Sequence, residues 1–586
     1  MALSSRPYSR GSSGKRKPYA AFDFETDGLG GPILAATWCL EGMADAEYIS
    51  GGDVLAKLWE VQQRHCDHVW FAHNAEYEFR YYISRFLDLG DRVKMFARTA
   101  RDIFMITVDM GDNEVLTMKD SMAVFPASLR KMLDVFCPEL PKLDLDFGAE
   151  TFNPNKPEHI AYAKRDSLGL VTALSRYDDL LYRTYDIHLR STAAGCAVAA
   201  WERGLGKKDL YFNDTTNENF YREAYYGGLV FLTDTRNIKG GRTYDLNSSY
   251  PYQMWAYPFP VGNSVRTFSY IPGKHGIYDV TVTAPDDIIV PIIPARHKGN
   301  IVWPRGEFRT RCTGVELNFA LQHGYKLNKV HEGRVWHREA RPFREFVEKN
   351  KKIRFENKGN ALEDVAKRIQ NSLYGKFGAR RERREFKTWL SPDDTVFEEW
   401  GDFYIVPEFA EDMRCLPQWA VFITAYARLH LLRAIYEIGP ANVIYGDTDS
   451  LTLRPGYSLP TGGDYGEWKL EKEWTEFRAS APKVYAGVKD GELIGAIKGI
   501  PRRLWKRTGA LGAVLSGDEF TVAFDSLNSF TASMKTGNIR TIARTRRVSR
   551  LANSLSWELQ SDGSVRPRLY SEIVKERNNA VATFAV

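Results

Sequence analysis

The sequence has few cysteines and no long apolar run, and both features exclude broad classes of protein. Six cysteines are scattered over 586 residues, without a CxxC pair or a histidine at zinc-ligand spacing beside them. We therefore expect a reduced protein in a cytoplasmic compartment. No apolar run approaches the ~18 residues of a membrane-spanning helix, and no apolar segment follows the basic N-terminus, so we expect neither membrane association nor a signal peptide.

The net charge is also small: 80 basic residues stand against 74 acidic ones and leave a net charge of +6. Bulk charge alone therefore does not indicate a nucleic-acid partner, and only its distribution along the chain can do so. There is no internal repeat, and low complexity is confined to a basic, Ser/Gly-rich N-terminal segment that predicts a disordered arm over 1–17. The length predicts roughly three to five domains.

Local patterns place the segments that carry chemistry on strands, helices and turns. Tyr19–Thr26 reads as a strand and Pro157–Tyr185 as a helix, which together indicate an α/β unit ending near residue 190. The segment 341–378 is helical and basic, with a break at 358–360. Val443–Leu453 has two β-rich arms around a polar centre and predicts a hairpin.

Three segments form a candidate site for phosphoryl transfer: Tyr244–Pro251 (YDLNSSYP), Lys367–Gly375 (KRIQNSLYG) and Tyr445–Ser450 (YGDTDS). Asp245 at a strand end and Asp449 at a hairpin tip supply the hard carboxylate oxygens that two Mg²⁺ ions need. Helical spacing places a Lys, an Asn and a Tyr of the second segment on one face, where the cation can hold triphosphate oxygens.

A second acidic group lies in the N-terminal part of the chain. Asp23 and Glu25 are two apart on a strand and therefore share a face. Tyr162 and Asp166 are one helical turn apart. Two metal ions held by the three carboxylates would activate a water for attack on a terminal phosphodiester, with the tyrosine orienting that water.

In this order, the motifs D-x-x-S-x-Y-P, K-x-x-x-N-S-x-Y-G and Y-x-D-T-D-S resemble those of family B DNA polymerases, and the N-terminal acids resemble the exonuclease motifs of that family. The resemblance implies a multidomain α/β and α+β protein. An RNase H-like 3′–5′ exonuclease domain would precede a right-hand polymerase of palm, fingers and thumb.

The resemblance also implies roles for individual polymerase residues. Metal ligands would be Asp245, Leu246 and Asp449, with Asp447 as a secondary catalytic acid. Tyr250 would be the steric gate against a ribose 2′-OH. The nucleotide-binding residues would be Leu246, Tyr250, Arg354, Lys367, Asn371 and Tyr374.

In the exonuclease domain, the resemblance implies Asp23, Glu25 and Asp166 as metal ligands, and Tyr162, Lys142 and Glu78 as further catalytic residues. The middle motif departs from the family, which has Asp four residues after Asn, whereas Glu78 follows Asn74 here. A glutamate reaches one methylene further and can ligate directly or through water. The alternative is a weakened or silent exonuclease.

The compact length resembles the protein-primed branch of family B, the phage phi-29 type, and the resemblance covers nearly all of residues 19–586. Shorter motifs agree: Y-x-G-G at 225–228, a T-x-x-x-R segment at 424–428 and K-x-Y at 483–485. The DNA-binding residues implied in this way are Thr26, Asn74, Tyr225, Gly227, Gly228, Ser248, Thr424, Arg428, Lys483 and Tyr485.

The predicted units follow from the order of these motifs. They are the arm (1–17), the exonuclease domain (18–190), the first part of the palm (191–258), an insertion that contacts the priming protein (259–342), the fingers (343–379), a second insertion for processivity and strand displacement (380–416), the second part of the palm (417–514) and the thumb (515–586). The alternative for the insertions is ordinary elaboration of palm and fingers.

Basic residues cluster beside the polymerase motifs, where they would neutralise phosphates without reading sequence. The clusters are Arg380, Arg381, Arg383, Arg384 and Lys387; Lys498, Arg502, Arg503, Lys506 and Arg507; and Arg540, Arg544, Arg546, Arg547 and Arg550.

The sequence therefore predicts a monomeric, template-directed DNA polymerase with a proofreading exonuclease, acting in protein-primed replication of a linear viral or plasmid genome, in the host cytoplasm if viral. Expected partners are a DNA primer–template, deoxynucleoside triphosphates and a terminal priming protein. The expected cofactor is Mg²⁺, two per active site, which Mn²⁺ can replace. The alternatives are a compact family B polymerase that uses nucleic-acid primers only and a catalytically degenerate DNA-binding scaffold.

Overall fold

The computed structural model describes residues 16–99, 102–145, 151–205, 217–380, 382–387, 396, 398–400, 403–409, 415–536, 539–551 and 554–575. Residues 1–15 of the predicted arm lie outside this range. Arg16 is already anchored, because its guanidinium pairs with Glu41 at 2.7 Å and with Asp178 at 2.9 Å. None of the described helices is both long and apolar enough to cross a bilayer.

A mixed seven-stranded sheet organises the N-terminal unit, in the order β3-β2-β1-β4-β7-β6-β5. The strands are β1 (Tyr19–Thr26), β2 (Ile33–Leu40), β3 (Glu47–Ser50), β4 (Val69–Ala72), β5 (Val93–Thr99), β6 (Asp102–Gly111) and β7 (Glu114–Asp120). The helices are α1 (Val54–Arg64), α2 (Glu76–Tyr81), α3 (Ile83–Leu89), α4 (Ser121–Val124), α5 (Leu129–Phe136) and α6 (Pro157–Tyr185). The central strand β1 pairs antiparallel with β2 and parallel with β4. Strand β1 and helix α6 have the bounds that the sequence predicts.

The palm is built on a second sheet, in the order β24-β10-β23-β22-β8. Its strands are β8 (Val230–Leu232), β10 (Arg242–Leu246), β22 (Val443–Asp447), β23 (Ser450–Leu453) and β24 (Trp468–Glu473). The helices around it are α7 (Ala193–Leu205), α8 (Glu218–Glu223), α9 (Ser249–Ala256) and α13 (Pro417–Ile438). Helix α13 is apolar on all sides and is buried along most of its length, as such a pattern requires.

The predicted fingers are an antiparallel pair of helices, α11 (Arg344–Glu356) and α12 (Ala361–Phe377). The break predicted at 358–360 is present, and the Asn360 side chain caps α12 by accepting hydrogen bonds from the backbone of Leu362 and Glu363. This cap satisfies donors that the first turn leaves free.

The segment 259–342 contains its own four-stranded sheet, in the order β12-β17-β13-β16, and one helix. Its elements are β11 (Phe259–Pro260), β12 (Val265–Thr267), β13 (His275–Ala284), β14 (Ala295–His297), β15 (Asn300–Val302), β16 (Gly306–Thr313), α10 (Gly314–Gln322), β17 (Lys326–Trp336) and β18 (Glu339–Ala340). The described part of 380–416 forms a three-stranded sheet of β19 (Glu382–Lys387), β20 (Glu398–Trp400) and β21 (Phe403–Phe409).

The C-terminal region divides differently from the predicted boundary at 514/515. Its elements are β25 (Glu476–Ala481), β26 (Val484–Lys489), β27 (Glu492–Ile497), α14 (Arg502–Arg507), α15 (Ala510–Ser516), β28 (Phe520–Leu527), α16 (Phe530–Thr536), β29 (Thr541–Val548), β30 (Trp557–Leu559), β31 (Val565–Pro567) and α17 (Tyr570–Lys575); β9 (Ile238–Lys239) pairs with β25. One core joins residues of β26, α14 and α15 to β28 and β29, so the boundary cuts through it. Trp557 and Ile573, by contrast, pack into the core of the palm and first insertion.

The tip of the hairpin β28–β29, in the predicted thumb, packs on the N-terminal unit, the predicted exonuclease domain. Phe530 and Met534 are buried in the core that the seven-stranded sheet forms with α2 and α3. Arg80 of α2 donates to the Asn528 carbonyl at 2.8 Å and to the Ser533 hydroxyl at 3.0 Å, and its guanidinium lies 5.8 Å from the Phe530 ring. The exonuclease core is therefore completed by residues from the far end of the chain.

Candidate active sites

Two neighbouring strands and a hairpin tip bring the palm aspartates together. Asp245 at the end of β10 pairs in register with Ser450, the residue after Asp449. The Leu246 amide donates to the Asp449 carbonyl at 2.8 Å. Thr448 at the tip has φ +63° and donates its amide to the Leu229 carbonyl, which fixes the hairpin turn against the preceding segment.

Burial raises the pKa of both predicted metal-binding aspartates of the palm. Burial, together with the charges of Asp245 and Asp447, raises the pKa of Asp449 to about 6. Burial also raises the pKa of Asp245, against the opposing effect of nearby lysines that include Lys367. Asp447 is ion-paired with Lys483, whose ammonium lies 2.9 Å and 3.0 Å from its two carboxylate oxygens.

The fingers helices face these carboxylates with the residues that the sequence singles out. Lys367 and Asn371 are exposed on α12. Tyr374, one turn further on, stacks on Tyr250 with ring centroids 4.1 Å apart and an interplanar angle of 19°. From α11, Arg354 donates to the Ser248 hydroxyl at 2.8 Å. The Leu246 side chain is buried, so this residue offers the site only its backbone atoms.

The linker at 225–228 lies against both the hairpin tip and the fingers. A Cβ on Gly228 would stand 2.6 Å from the Thr448 hydroxyl, so this position has room only for glycine. A Cβ on Gly378, after α12, would meet the Tyr225 ring at 2.7 Å. Tyr485 packs 5.4 Å from the Tyr445 ring, beside the Lys483–Asp447 pair.

Two predicted DNA contacts are corrected by the structure. Arg428 has no exposed side-chain surface; it is ion-paired with Glu316 of α10 and donates to the carbonyls of Tyr226 and Gly227 at 2.7 Å and 2.9 Å. Thr424 is buried and bonds to carbonyls of its own helix. Both side chains lie on buried faces of α13, where Arg428 holds the 225–228 segment through two of its backbone carbonyls and leaves no exposed surface for DNA.

The second acidic group lies on β1, α2 and α6. Asp23 and Glu25 share one face of β1, Glu78 is on α2, and Asp166 is on α6. Lys142 is ion-paired with Asp166 and lies 4.8 Å from the Tyr162 ring. The predicted residues are therefore in one place, although they are spread over more than 140 positions of sequence.

Mutual repulsion and burial dominate the electrostatics of this group. Burial, then the charge of Asp166, raises the pKa of Asp23 to about 7. Burial, then the charge of Asp23, raises the pKa of Glu25 to about 9. The pKa of Glu78 is raised by burial and by Asp23, and the pKa of Asp166 by burial against the effect of Lys142. Lys142 opposes these shifts at Asp23, Glu25 and Asp166, but burial outweighs it.

Residues beside the acids fix the strand end and the α2 loop. The Thr26 hydroxyl is 2.7 Å from that of Tyr77. Asn74 has φ +67°, and its amide donates to the Asp120 carboxylate at 3.0 Å. The side chains of Thr26 and Asn74 are partly accessible, beside the acidic group.

The donor sets fit divalent cations. Both groups consist of carboxylates, the ligands that Mg²⁺ prefers, and the buried oxygens Glu78 Oε2 and Asp166 Oδ1 accept no hydrogen bond. Three ligand atoms within 4.8 Å of one another occur, among the described residues, at His65, Asp67 and His68, outside both groups. Both groups therefore suit divalent cations by their carboxylate ligands, and the N-terminal group also has buried oxygens without a hydrogen-bond donor.

Comparison with known proteins agrees with this architecture. The family described as DNA polymerase type B, organellar and viral, matches residues 154–423. The DNA polymerase of Bacillus phage B103 is 26% identical over 423 residues, covering 64% of this chain and 69% of the phage protein. A probable DNA polymerase of Neurospora intermedia is 25% identical over 386 residues, covering 58% of this chain.

The chain spans only part of the fungal relatives, 39% of the Neurospora protein and 50% of a probable DNA polymerase from Agaricus bitorquis. The phi29 DNA polymerase complexed with primer–template DNA superposes with a TM-score of 0.74 at 18% identity, over 91% of this chain and all of the phage chain.

The fold is thus that of an exonuclease domain joined to a right-hand polymerase. In sequence the chain is similar to family B DNA polymerases of the organellar and viral type, including the DNA polymerases of Bacillus phages B103 and phi29.

Proposed function

We propose that the chain is a DNA-directed DNA polymerase with a 3′–5′ exonuclease, active in protein-primed replication. The observation that carries the proposal is the palm site, where Asp245 and Asp449 lie together and Lys367 is close enough to Asp245 to lower its pKa. Arg354 reaches the same segment through Ser248, and Tyr374 of the fingers stacks on Tyr250 of the palm. Carboxylates opposite two cationic side chains suit a triphosphate and its metal ions.

For polymerisation, Lys367 and Arg354 bind the triphosphate and hold its charge in place. Tyr250 packs against the sugar of the nucleotide and excludes a 2′-OH, while Tyr374 packs against the incoming base. Asp245 and Asp449 would hold Mg²⁺, which Mn²⁺ can replace. When bound, such ions stabilise phosphate charge and lower the pKa of the attacking hydroxyl or water.

For the exonuclease, Asp23, Glu25 and Asp166 would hold the metal ions, and Glu78 adds a fourth carboxylate to this group. Tyr162 orients the attacking water toward the terminal phosphodiester. The Lys142 ammonium holds the Asp166 carboxylate in place. The Glu78 carboxyl is buried beside Asp23, so the longer side chain reaches the group. This contact supports a working exonuclease over a silent one.

DNA as the partner is supported by exposed basic surfaces in the C-terminal region. Strand β29 exposes Arg544, Arg546 and Arg547, and α14 carries Arg502 and Arg503. Most of the predicted 380–387 cluster lies outside the residues whose side chains are described. Such clusters bind phosphates without reading sequence, and the affinity falls with added salt.

A priming protein is supported by an exposed apolar patch on the first insertion. Val265, Phe268 and Ile271, at and beside the edge strand β12, are 52%, 62% and 36% exposed. Exposed apolar groups clustered at a sheet edge mark protein-interaction surfaces. The proposal places replication in the host cytoplasm, and six free, buried cysteines suit a reducing compartment.

The test is extension of a labelled primer–template with Mg²⁺ by wild type, Asp449→Ala and Asp23→Ala/Asp166→Ala. Wild type should extend with nucleotides and degrade the primer without them, and each variant should lose only its own activity. Nucleotide transfer onto a purified priming protein separates protein priming from nucleic-acid priming. DNA binding without either activity, and without rescue by a priming protein, would show a scaffold instead.

A further inference from the structure

A tyrosine from the palm lies between the two fingers helices, at the arginine assigned to the triphosphate. Tyr465 belongs to the loop of residues 454–467 that joins β23, just after the Asp449 turn, to β24. Its side chain is buried. No sequence motif identified this residue, and the polymerase chemistry described above does not use it.

The Tyr465 hydroxyl uses both its acceptor and its donor. Arg354 Nη1 on α11 donates to it at 2.8 Å, and it donates to Gln370 Oε1 on α12 at 2.9 Å. The same Arg354 nitrogen also donates to the Ser248 hydroxyl at 2.8 Å. One phenol therefore links both fingers helices, while Arg354 reaches the loop that follows Asp245.

The loop that carries Tyr465 is itself fixed to the active site. Asn247, two residues after Asp245, donates its amide to the Glu467 carbonyl at 3.0 Å and accepts from the Gly466 amide at 2.8 Å. Its side chain donates to the Gly462 carbonyl at 3.0 Å. The position of the phenol is thus set by the same backbone that positions the metal-binding aspartate.

The partners of Arg354 hold it without neutralising it. Both acceptors are neutral hydroxyls, and no carboxylate pairs with Arg354 in the described part of the chain. Its buried Nε has no acceptor. A partly buried guanidinium held by neutral hydroxyls keeps an unused donor, which an anionic ligand can satisfy.

We propose that Tyr465 is a positioning residue for nucleotide binding: its hydroxyl holds the Arg354 guanidinium between fingers and palm, in the orientation that meets the triphosphate of the incoming nucleotide. Preorganisation of this kind lowers the entropy lost when the nucleotide binds, and so strengthens binding more than it speeds chemistry. The proposal rests on the polymerase function proposed above.

The test is Tyr465→Phe, which keeps the ring and removes only the hydroxyl. The expected result is a roughly fivefold to tenfold rise in the KM for nucleotide, about the effect of losing one ordinary intramolecular hydrogen bond, with kcat within about twofold. Equilibrium nucleotide binding to a complex with a dideoxy-terminated primer, in Ca²⁺, should weaken equally. Exonuclease rate and primer–template affinity should stay at wild-type values.

Two further variants separate positioning from folding. Tyr457→Phe is the matched control, because Tyr457 lies in the same loop but is 41% exposed, and it should match wild type. In an Arg354→Ala background, Tyr465→Phe should add nothing, since its effect passes through the guanidinium.

Three results would overturn the proposal. They are an unchanged nucleotide KM, an effect that adds to that of Arg354→Ala, and a parallel loss of kcat and exonuclease rate. A wild-type chain that extends no primer would instead remove the polymerase function, and the positioning role with it.

Discussion

The two acidic sites are both proposed to bind divalent metal ions, but they differ in the charged residues around their carboxylates. Four carboxyl groups crowd together in the exonuclease site, and one lysine opposes them. In the palm, Asp447 has its own lysine and the remaining pair faces the cationic fingers. Burial is the main cause at both sites, and together with the neighbouring acids it raises the pKa of Asp23 to about 7, of Glu25 to about 9 and of Asp449 to about 6. The exonuclease should therefore depend more steeply on pH and on divalent cations than the polymerase does.

The largest effect should come from removing a metal-binding carboxylate at either site. Asp449→Ala should lower extension by at least about 10²–10³-fold, the range for losing a group that stabilises transition-state charge, and leave exonuclease activity intact. Asp23→Ala should do the reverse, and a gel assay with and without nucleotides reads both. If either variant lost both activities with an unchanged melting temperature, the two sites would not be independent.

Glu78 tests whether the fourth carboxylate belongs to the exonuclease site. Glu78→Gln keeps the shape but removes the charge, so exonuclease activity should fall by about 10–100-fold, as when a partner of a metal ligand is lost. Glu78→Asp should retain more activity than Glu78→Gln. Extension rates serve as the internal control, and equal exonuclease rates in Glu78→Gln and wild type would exclude the residue from the site.

The two lysines provide a matched pair. Lys142 is mostly buried against Asp166, whereas Lys483 is 48% exposed beside Asp447. Lys142→Ala should lower exonuclease activity by about 10-fold or more, because it leaves a buried carboxylate unpaired, while Lys483→Ala should lower extension only a few-fold, as exposed pairs are weak. Equal losses would mean that burial does not distinguish the sites.

The smallest effect concerns stability against pH. The folded-state pKa values of Asp23 and Glu25 are raised, so the metal-free protein loses stability as pH rises from 6 through 9, while the unfolded chain is already ionised there. The melting temperature of the exonuclease domain in EDTA should fall by a few degrees over this range, and Asp23→Asn/Glu25→Gln should flatten the slope. Mg²⁺ should restore more stability at pH 9 than at pH 6.

Local sequence patterns predict many of the helices and strands and the carboxylates of both candidate sites. The i, i+2 spacing of Asp23 and Glu25 places them on one face of β1, and the hairpin around Asp449 follows from its β-rich arms. These features depend on residues that are neighbours in sequence, so the periodicity of the sequence predicts them.

Local patterns do not predict which side chains are buried or which residues distant in sequence come into contact. Arg428 resembles a DNA contact as a motif, although the apolar text all round α13 signals that this helix is buried. Tyr465 gains its role from partners on two helices about 100 residues away in sequence, and no local pattern predicts such a meeting. For the same reason, no local pattern shows that residues on both sides of the predicted boundary at 514/515 share one core.

The thumb tip that docks on Arg80 sets the order in which the chain can mature during translation. Arg80 and its Asn528 partner are separated by 448 residues. At a synthesis rate of 5–20 residues per second, the nascent exonuclease domain waits about 20–90 s before Phe530 and Met534 emerge to fill its core. Until then its apolar cleft is open and Arg80 has Glu76 but not its thumb partners, so the core of this domain is completed only after residues 448 positions later have been made.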